Sequence, residues 1–232
     1  MAEYLVHGED LVTVADAIRE KGGTTELLAF PDGFVSAVEA IETGEDNMVK
    51  YIQGELAELV DRKITSIGQW FLFYRNEVIT KVDLPNVQGE CNSSAFYDAA
   101  GLKTCYLPRA SALGSSCFFS CSKLADTDFS SVETIGQNCF QSCTSIVRLD
   151  FPCLTQINGS YNFYGCNKLK TLILRSSTMV TLDNVNAFNN TPIASGTGYI
   201  YVPADLVSTY QADSVWSTYA DQFRAIEDYP DV

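Results

Sequence analysis

Among 232 residues the chain has a single histidine, His7. It lies far in sequence from every cysteine, so no Cys/His nucleophile pair is expected. No Gly-rich phosphate loop, zinc-protease helix motif or nucleophile elbow occurs. The sequence thus offers no catalytic, cofactor-binding or metal-binding residues, and a non-enzyme is expected. Basic side chains are also scarce: 15 Lys and Arg face 29 Asp and Glu, for a net charge of -14. The deficit is spread along the chain, with residues 1–63 at -9 and residues 64–232 at -5. Without clustered Lys or Arg to meet phosphates, no nucleic-acid partner is expected. No apolar run approaches the roughly 18 residues that cross a bilayer, so no membrane insertion is expected. Met1-Ala2-Glu3-Tyr4 is acidic and leads into no apolar core, so no signal peptide is expected either.

What is present is one short phrase written repeatedly. Phe73, Phe96, Phe118, Phe140, Phe163 and Phe188 follow one another at steps of 23, 22, 22, 23 and 25 residues. Eleven residues after the first five stand Leu84, Leu107, Phe129, Phe151 and Leu174, each preceded at two residues by Val82, Cys105, Thr127, Leu149 and Leu172. One such unit cannot bury its own apolar face, whereas stacked units can. The alternation in Val82-Asp83-Leu84-Pro85 and Leu149-Asp150-Phe151-Pro152 predicts a short strand that ends at proline. Ser66-Ile67-Gly68, Ala112-Leu113-Gly114 and Thr134-Ile135-Gly136 predict a second short strand with a glycine-permitted bend.

Ile135-Gly136 through Phe140, Cys143, Ile146 and Pro152 resembles the BspA-like leucine-rich repeat. The resemblance implies a β-rich solenoid of about six units over residues 64–203, with a regular sheet on one side. Departures from the pattern, such as Ser130 and Arg175 in place of proline and the stretched last copy, imply looser turns at those rungs.

The flanks read differently. Leu11, Val14, Ala15 and Ile18, then Phe34, Val35, Val38 and Ile41, fall at helical spacing and predict a helical-hairpin docking module over residues 1–45. Val14 to Thr24 with Phe30-Pro31-Asp32-Gly33-Phe34 resembles a module at the start of bacteriophage and prophage tail or minor structural proteins. Val49, Ile52, Leu56 and Leu59 repeat at steps of three and four, predicting a helix over 46–63. That helix either covers the open end of the array or forms an oligomer seam such as a trimer uses. Beyond Tyr199–Pro203, a helical C-terminal cap is expected over 204–232, with Trp216, Tyr219, Phe223 and Ile226 marking one helix. This ending is similar to the closing cap of many BspA-like arrays.

Cys117-x-x-x-Cys121 and Cys139-x-x-x-Cys143 look like halves of a zinc site until their phase is considered. Cys117 and Cys139 precede a repeat Phe by one residue, and Cys121, Cys143 and Cys166 follow it by three, so stacking makes columns rather than a tetrahedral cluster. Reduced structural thiols are expected, with an inter-rung bridge left open, and Cys91 and Cys105 read as core. If Val82 and its equivalents point inward, the outward face displays Lys81, Asp83, Thr104, Tyr106, Asp126, Asp128, Arg148, Asp150, Thr171 and Ile173. Asp83, Asp128 and Asp150 then share a column of mutually repelling carboxylates unless Lys81 or Arg148 offsets them.

The resemblances imply a virion protein made in a bacterial host cytoplasm. Its N-terminal helices would contact other virion proteins, and its repeats would contact a host surface glycan or protein. The rival expectation is a bacterial adhesin or interaction scaffold that is not part of a virion.

Overall fold

The structure, a computed structural model, describes residues 56–67 and 73–231. The chain divides into two compact units, Met1–Leu56 and Ala57–Val232. The helices expected within 1–45, His7, and the seam positions Val49 and Ile52 lie outside the described residues.

The second unit is built from short parallel strands. In chain order they are β1 (Glu58–Val60), β2 (Lys81–Asp83), β3 (Gly89–Cys91), β4 (Thr104–Tyr106), β5 (Ala110–Leu113), β6 (Asp126–Asp128) and β7 (Thr134–Ile135). There follow β8 (Arg148–Phe151), β9 (Gln156–Ile157), β10 (Thr171–Leu174), β11 (Thr181–Leu182), β12 (Tyr199–Val202) and β13 (Phe223–Ala225). From β2 to β12 strands pair with the next but one in sequence, so each repeat places one strand in a front layer and one in a back layer, while at the ends β1 pairs with β2 and β12 with β13. The back layer is continuous in the order β3-β5-β7-β9-β11. The front layer consists of β1-β2-β4-β6 and β8-β10-β12-β13, with no pairing between β6 and β8.

The core between the layers holds the repeat phenylalanines. All are at most 1% exposed. Their rings form one column, with successive centroids 5.0, 5.1, 5.4, 5.7 and 4.9 Å apart and planes within 11° of parallel. A tight bend follows each ring, and another precedes those of Phe96, Phe118, Phe140 and Phe163. Arg75, Asp98, Ser120, Ser142, Gly165 and Asn190, two residues after a Phe, all have φ between 53 and 73°. Ser94, Ser116, Asn138 and Tyr161, two residues before, have φ between 56 and 59°. Short polar residues and glycine dominate these positions because they tolerate the left-handed region best. The bends aim backbone groups along the stack, so that the N–H of Phe96, Phe118 and Phe140 each donates to the next rung over 2.8 Å.

The glycines that open the units act by size. A Cβ on Gly114 would lie 2.4 Å from the Ser93 nitrogen, and one on Gly136 would lie 2.5 Å from that of Ser115. Neither has a positive φ. The Ile-Gly signal therefore marks close contact between rungs rather than the expected bend.

Two flanking expectations are corrected. Residues 58–60 do not continue a helix over 46–63: they form β1, with Leu59 opposite Val82 and only 2% exposed. Leu56 precedes it in non-helical backbone. The period-two pattern of Glu58 out, Leu59 in and Val60 out outweighs the step of three from Leu56, so the array starts before residue 64. At the other end, the cap has a 3-10 turn at Ala204–Leu206, helix α1 (Val207–Ala212) and a 3-10 helix at Trp216–Gln222 kinked at Tyr219. Phe223 does not extend that helix but enters β13 opposite Ile200. The cap also ends the back layer: Trp216 Nε1 donates to the Val180 carbonyl over 2.7 Å, and the Val180 N–H donates to Tyr210 Oη over 2.8 Å.

The front-layer break coincides with a change in the repeat. Phe129 and Phe151 stand where Leu84, Leu107 and Leu174 stand in the other rungs, and their ring centroids are 6.2 Å apart.

Candidate functional site

The outward face of the front layer is set by the inward burial of Val82, Cys105, Leu149 and Leu172. Alternation then turns out Lys81 and Asp83 from β2, Thr104 and Tyr106 from β4, and Asp126 and Asp128 from β6. Register places Lys81, Thr104 and Asp126 in one row and Asp83, Tyr106 and Asp128 in the next. Beyond the break, Arg148, Thr171 and Tyr199 form one row and Asp150, Ile173, Tyr201 and Arg224 the other.

The expected carboxylate column does not form. Tyr106 separates Asp83 from Asp128, and Asp150 lies across the break. Asp150 is neutralised within its own half: Arg148 Nη2 approaches it at 2.9 Å, and Arg175 clamps it through Nε at 3.0 Å and Nη2 at 2.9 Å. This charge-assisted bonding raises the Arg175 pKa further. On the other side, the Tyr106 hydroxyl donates to the Asp126 carboxylate, which raises the phenol pKa. Asp128 accepts from the Ser130 N–H at 3.1 Å and from its hydroxyl. Side chains on both sides of the break thus bond within their own half, and the face acquires two characters. Glu58, Asp83, Asp126 and Asp128 outweigh Lys81 in the first half, whereas Arg148, Arg175 and Arg224 outweigh Asp150 in the second.

Ile173 departs from the expected display and is fully buried. Its ladder neighbours wall it in: Asp150 is held by its arginines, and Tyr201 packs edge-on against Tyr199 and Tyr229 at 6.4 and 5.3 Å. Burial raises the Tyr201 pKa. Sequence reasoning missed the aromatic end of the face. Tyr199 is 37% exposed, with the Arg224 guanidinium 4.3 Å from its ring centroid. The alternation in Tyr199-Ile200-Tyr201-Val202 carried that signal, since it places both tyrosines on the side opposite Ile200. Arg224 had none, because its segment read as helix.

The cysteine columns have a chemical reason as well as a steric one. Sγ of Cys121, Cys143 and Cys166 donates to the carbonyl of Phe96, Phe118 and Phe140 respectively, each over 3.0 Å. A small weak donor suits a buried carbonyl that also receives a backbone N–H, as Phe118 O does from Cys121 at 3.1 Å. Among the described residues no group of three or more His, Cys, Asp or Glu is arranged to hold a metal ion. On the back layer, a shallow groove of about 400 Å³ runs past Glu90, Gly114, Gln137 and Asn158.

Residues 58–170 match the model of the BspA type leucine rich repeat region, in 6 copies. A leucine-rich repeat protein from Bacteroides ovatus is similar in structure, with a TM-score of 0.44 and 20% identity over 74% of this chain and 46% of that one. So is a leucine rich cell surface protein from Faecalibacterium prausnitzii, with a TM-score of 0.46 and 20% identity over 72% of this chain and 51% of that one. The chain spans about half the length of either protein. No curated protein matches it.

Proposed function

Taking residues 58–170 as a BspA-type leucine-rich repeat region, we propose that the chain is a non-catalytic recognition protein whose front layer binds a host surface glycan or protein. The observation that supports this reading most is the preorganised polar face. Arg148, Asp150 and Arg175 are held against one another, and Tyr106 against Asp126, so donors and acceptors are already oriented before a ligand arrives. Exposed ion pairs of this kind contribute at most about 1 kcal/mol to stability, which leaves positioning as their main consequence.

We place this activity on a bacteriophage or prophage particle, with the N-terminal segment attached to other virion proteins. The support is the phrase Val14 to Thr24 with Phe30 to Phe34, which lies outside the described residues. A trimer built on Val49 and Ile52 belongs to the same reading. Leu59 is excluded from that seam by its place in β1. The repeat region fits a bacterial adhesin or scaffold equally well. Mass spectrometry of particles purified after prophage induction separates the two settings, since the virion reading requires the intact chain in the particle. Binding of the full chain to host cells tests the face itself. Arg175→Ala and Tyr106→Phe should each weaken binding several-fold without unfolding the chain, and unchanged binding by both would reject the front face.

A further inference from the structure

We propose that Cys91 and Cys117 form a disulfide between adjacent rungs when the chain folds in the presence of a small-molecule disulfide oxidant. Cys91 ends β3 opposite Leu113, and Cys117 enters the next Phe-bearing turn. Their sulfurs meet in the core at 3.2 Å, about 1 Å beyond a covalent S–S bond of roughly 2.05 Å. Both residues are fully buried. The backbone around them is already laddered: Gly114 N–H donates to Cys91 O and Phe96 N–H donates to Cys117 O, each over 2.8 Å. The thiols of Cys121, Cys143 and Cys166 are differently engaged, because they point at carbonyl oxygens of the preceding rung.

The chemistry is thiol–disulfide exchange. One thiolate attacks the oxidant and releases a thiol, and the second then displaces the other half. The two protein thiols give up two protons and two electrons, one S–S bond forms in the chain, and the oxidant leaves as two thiols. Burial pushes the Cys117 thiol well above its ordinary pKa once the rungs close. Exchange therefore occurs during folding, before the thiolate is lost. The bridge closes a span of 26 residues next to the start of the array.

The test uses the full chain carrying Cys153→Ser, which removes the exposed thiol. Reduced, denatured protein is refolded with oxidised and reduced glutathione, alkylated in denaturant, and mapped by tryptic digestion. A linked pair of peptides 82–103 and 110–123, with fragmentation assigning the bond to Cys91 and Cys117, is expected. The urea midpoint of the oxidised protein should lie above that of a sample refolded with dithiothreitol. Cys117→Ala should fold, since Ala95 and Ala187 occupy the same phase before Phe96 and Phe188, and should show neither the link nor the midpoint shift. Complete alkylation of both cysteines overturns the proposal, as does a bond placed on any other pair.

Discussion

Phe118 sits at the centre of the ring column, so its removal measures what the column contributes. It is fully buried, stacks on Phe96 at 5.1 Å and Phe140 at 5.4 Å, and meets Phe129 at 5.4 Å with a tilt of 44°. Phe118→Ala should cost about 3–5 kcal/mol, the range for a buried phenylalanine whose site cannot collapse. The high end is expected, because Phe96 and Phe140 are each fixed to their own rung and cannot close the gap. Phe118→Leu keeps most of the volume and loses the ring contacts, each worth about 0.5–1.5 kcal/mol and not fully additive. A loss of about 1–2 kcal/mol is expected from it. Urea unfolding of the full chain, followed by tryptophan fluorescence and by far-ultraviolet circular dichroism, reads both. An array that unfolds cooperatively should give coincident transitions for each variant. An alanine cost below about 2 kcal/mol, or equal costs for the two variants, would refute a column whose stability rests on stacked rings in a rigid frame.

Two smaller perturbations follow from the turns and the thiols. Tyr161 is the bulkiest residue at a left-handed bend, with φ at 59°, and Asn138 occupies the equivalent bend one rung earlier. Tyr161→Asn should raise stability by about 0.5–1 kcal/mol in the same urea assay, reduced somewhat by the lost edge contact with Tyr164. Burial raises the thiol pKa of Cys105, Cys117, Cys139 and Cys143, and pushes that of Cys166 up to about 12. The unfolded chain ionises these thiols near pH 9 while the reduced folded chain keeps them protonated. Stability should therefore be full below about pH 9 and fall as the pH rises toward 12, measured on protein kept in reductant. Substituting Cys143→Ala and Cys166→Ala together should flatten that decline.

Much of the fold was legible because the repeat samples the same physics several times. A single Phe or Leu is ambiguous, but Phe73 to Phe188 at constant phase fixes which residues share the interior, and Val82, Leu149 and Leu172 then fix the outward set. The misreadings fall where the period stops. Around Leu59 and Phe223 a helical step of three or four competes with an alternation only three residues long, and strand pairing with β2 or β12 decides the outcome. Ile173 was misplaced for a different reason. Alternation gives the side of a strand but not what stands beside the residue, and Tyr201 and Asp150 are contributed by other rungs. The Arg175 clamp on Asp150, the Tyr106 partner of Asp126 and the partners of the column thiols were likewise set by register between rungs, whereas Arg148 beside Asp150 follows from spacing within one strand.

The break between β6 and β8 puts that dependence on neighbouring rungs in testable form. If the facing rings of Phe129 and Phe151 hold the strands apart, replacing both by leucine, the residue at the same phase in Leu84 and Leu107, should let the front layer pair throughout. The Asp126 and Arg148 rungs would then stand about 4.8 Å apart. Hydrogen exchange followed amide by amide is the direct measurement, because pairing would protect backbone groups of β8 that now face an unpaired edge. In the native chain the Thr171 N–H donates to the Val147 carbonyl at 3.1 Å, whereas no ladder bond crosses from β8 to β6. Arg148 should therefore exchange faster than Thr171 in the native protein and at a similar rate in Phe129→Leu/Phe151→Leu. The closed face would also bring Asp126 beside Arg148, joining two halves that are now bonded separately. A double variant that stays folded with Arg148 still unprotected would show that the ring pair does not cause the break. The repulsion between Asp128 and Asp150 would then be the remaining force to remove, by Asp128→Asn.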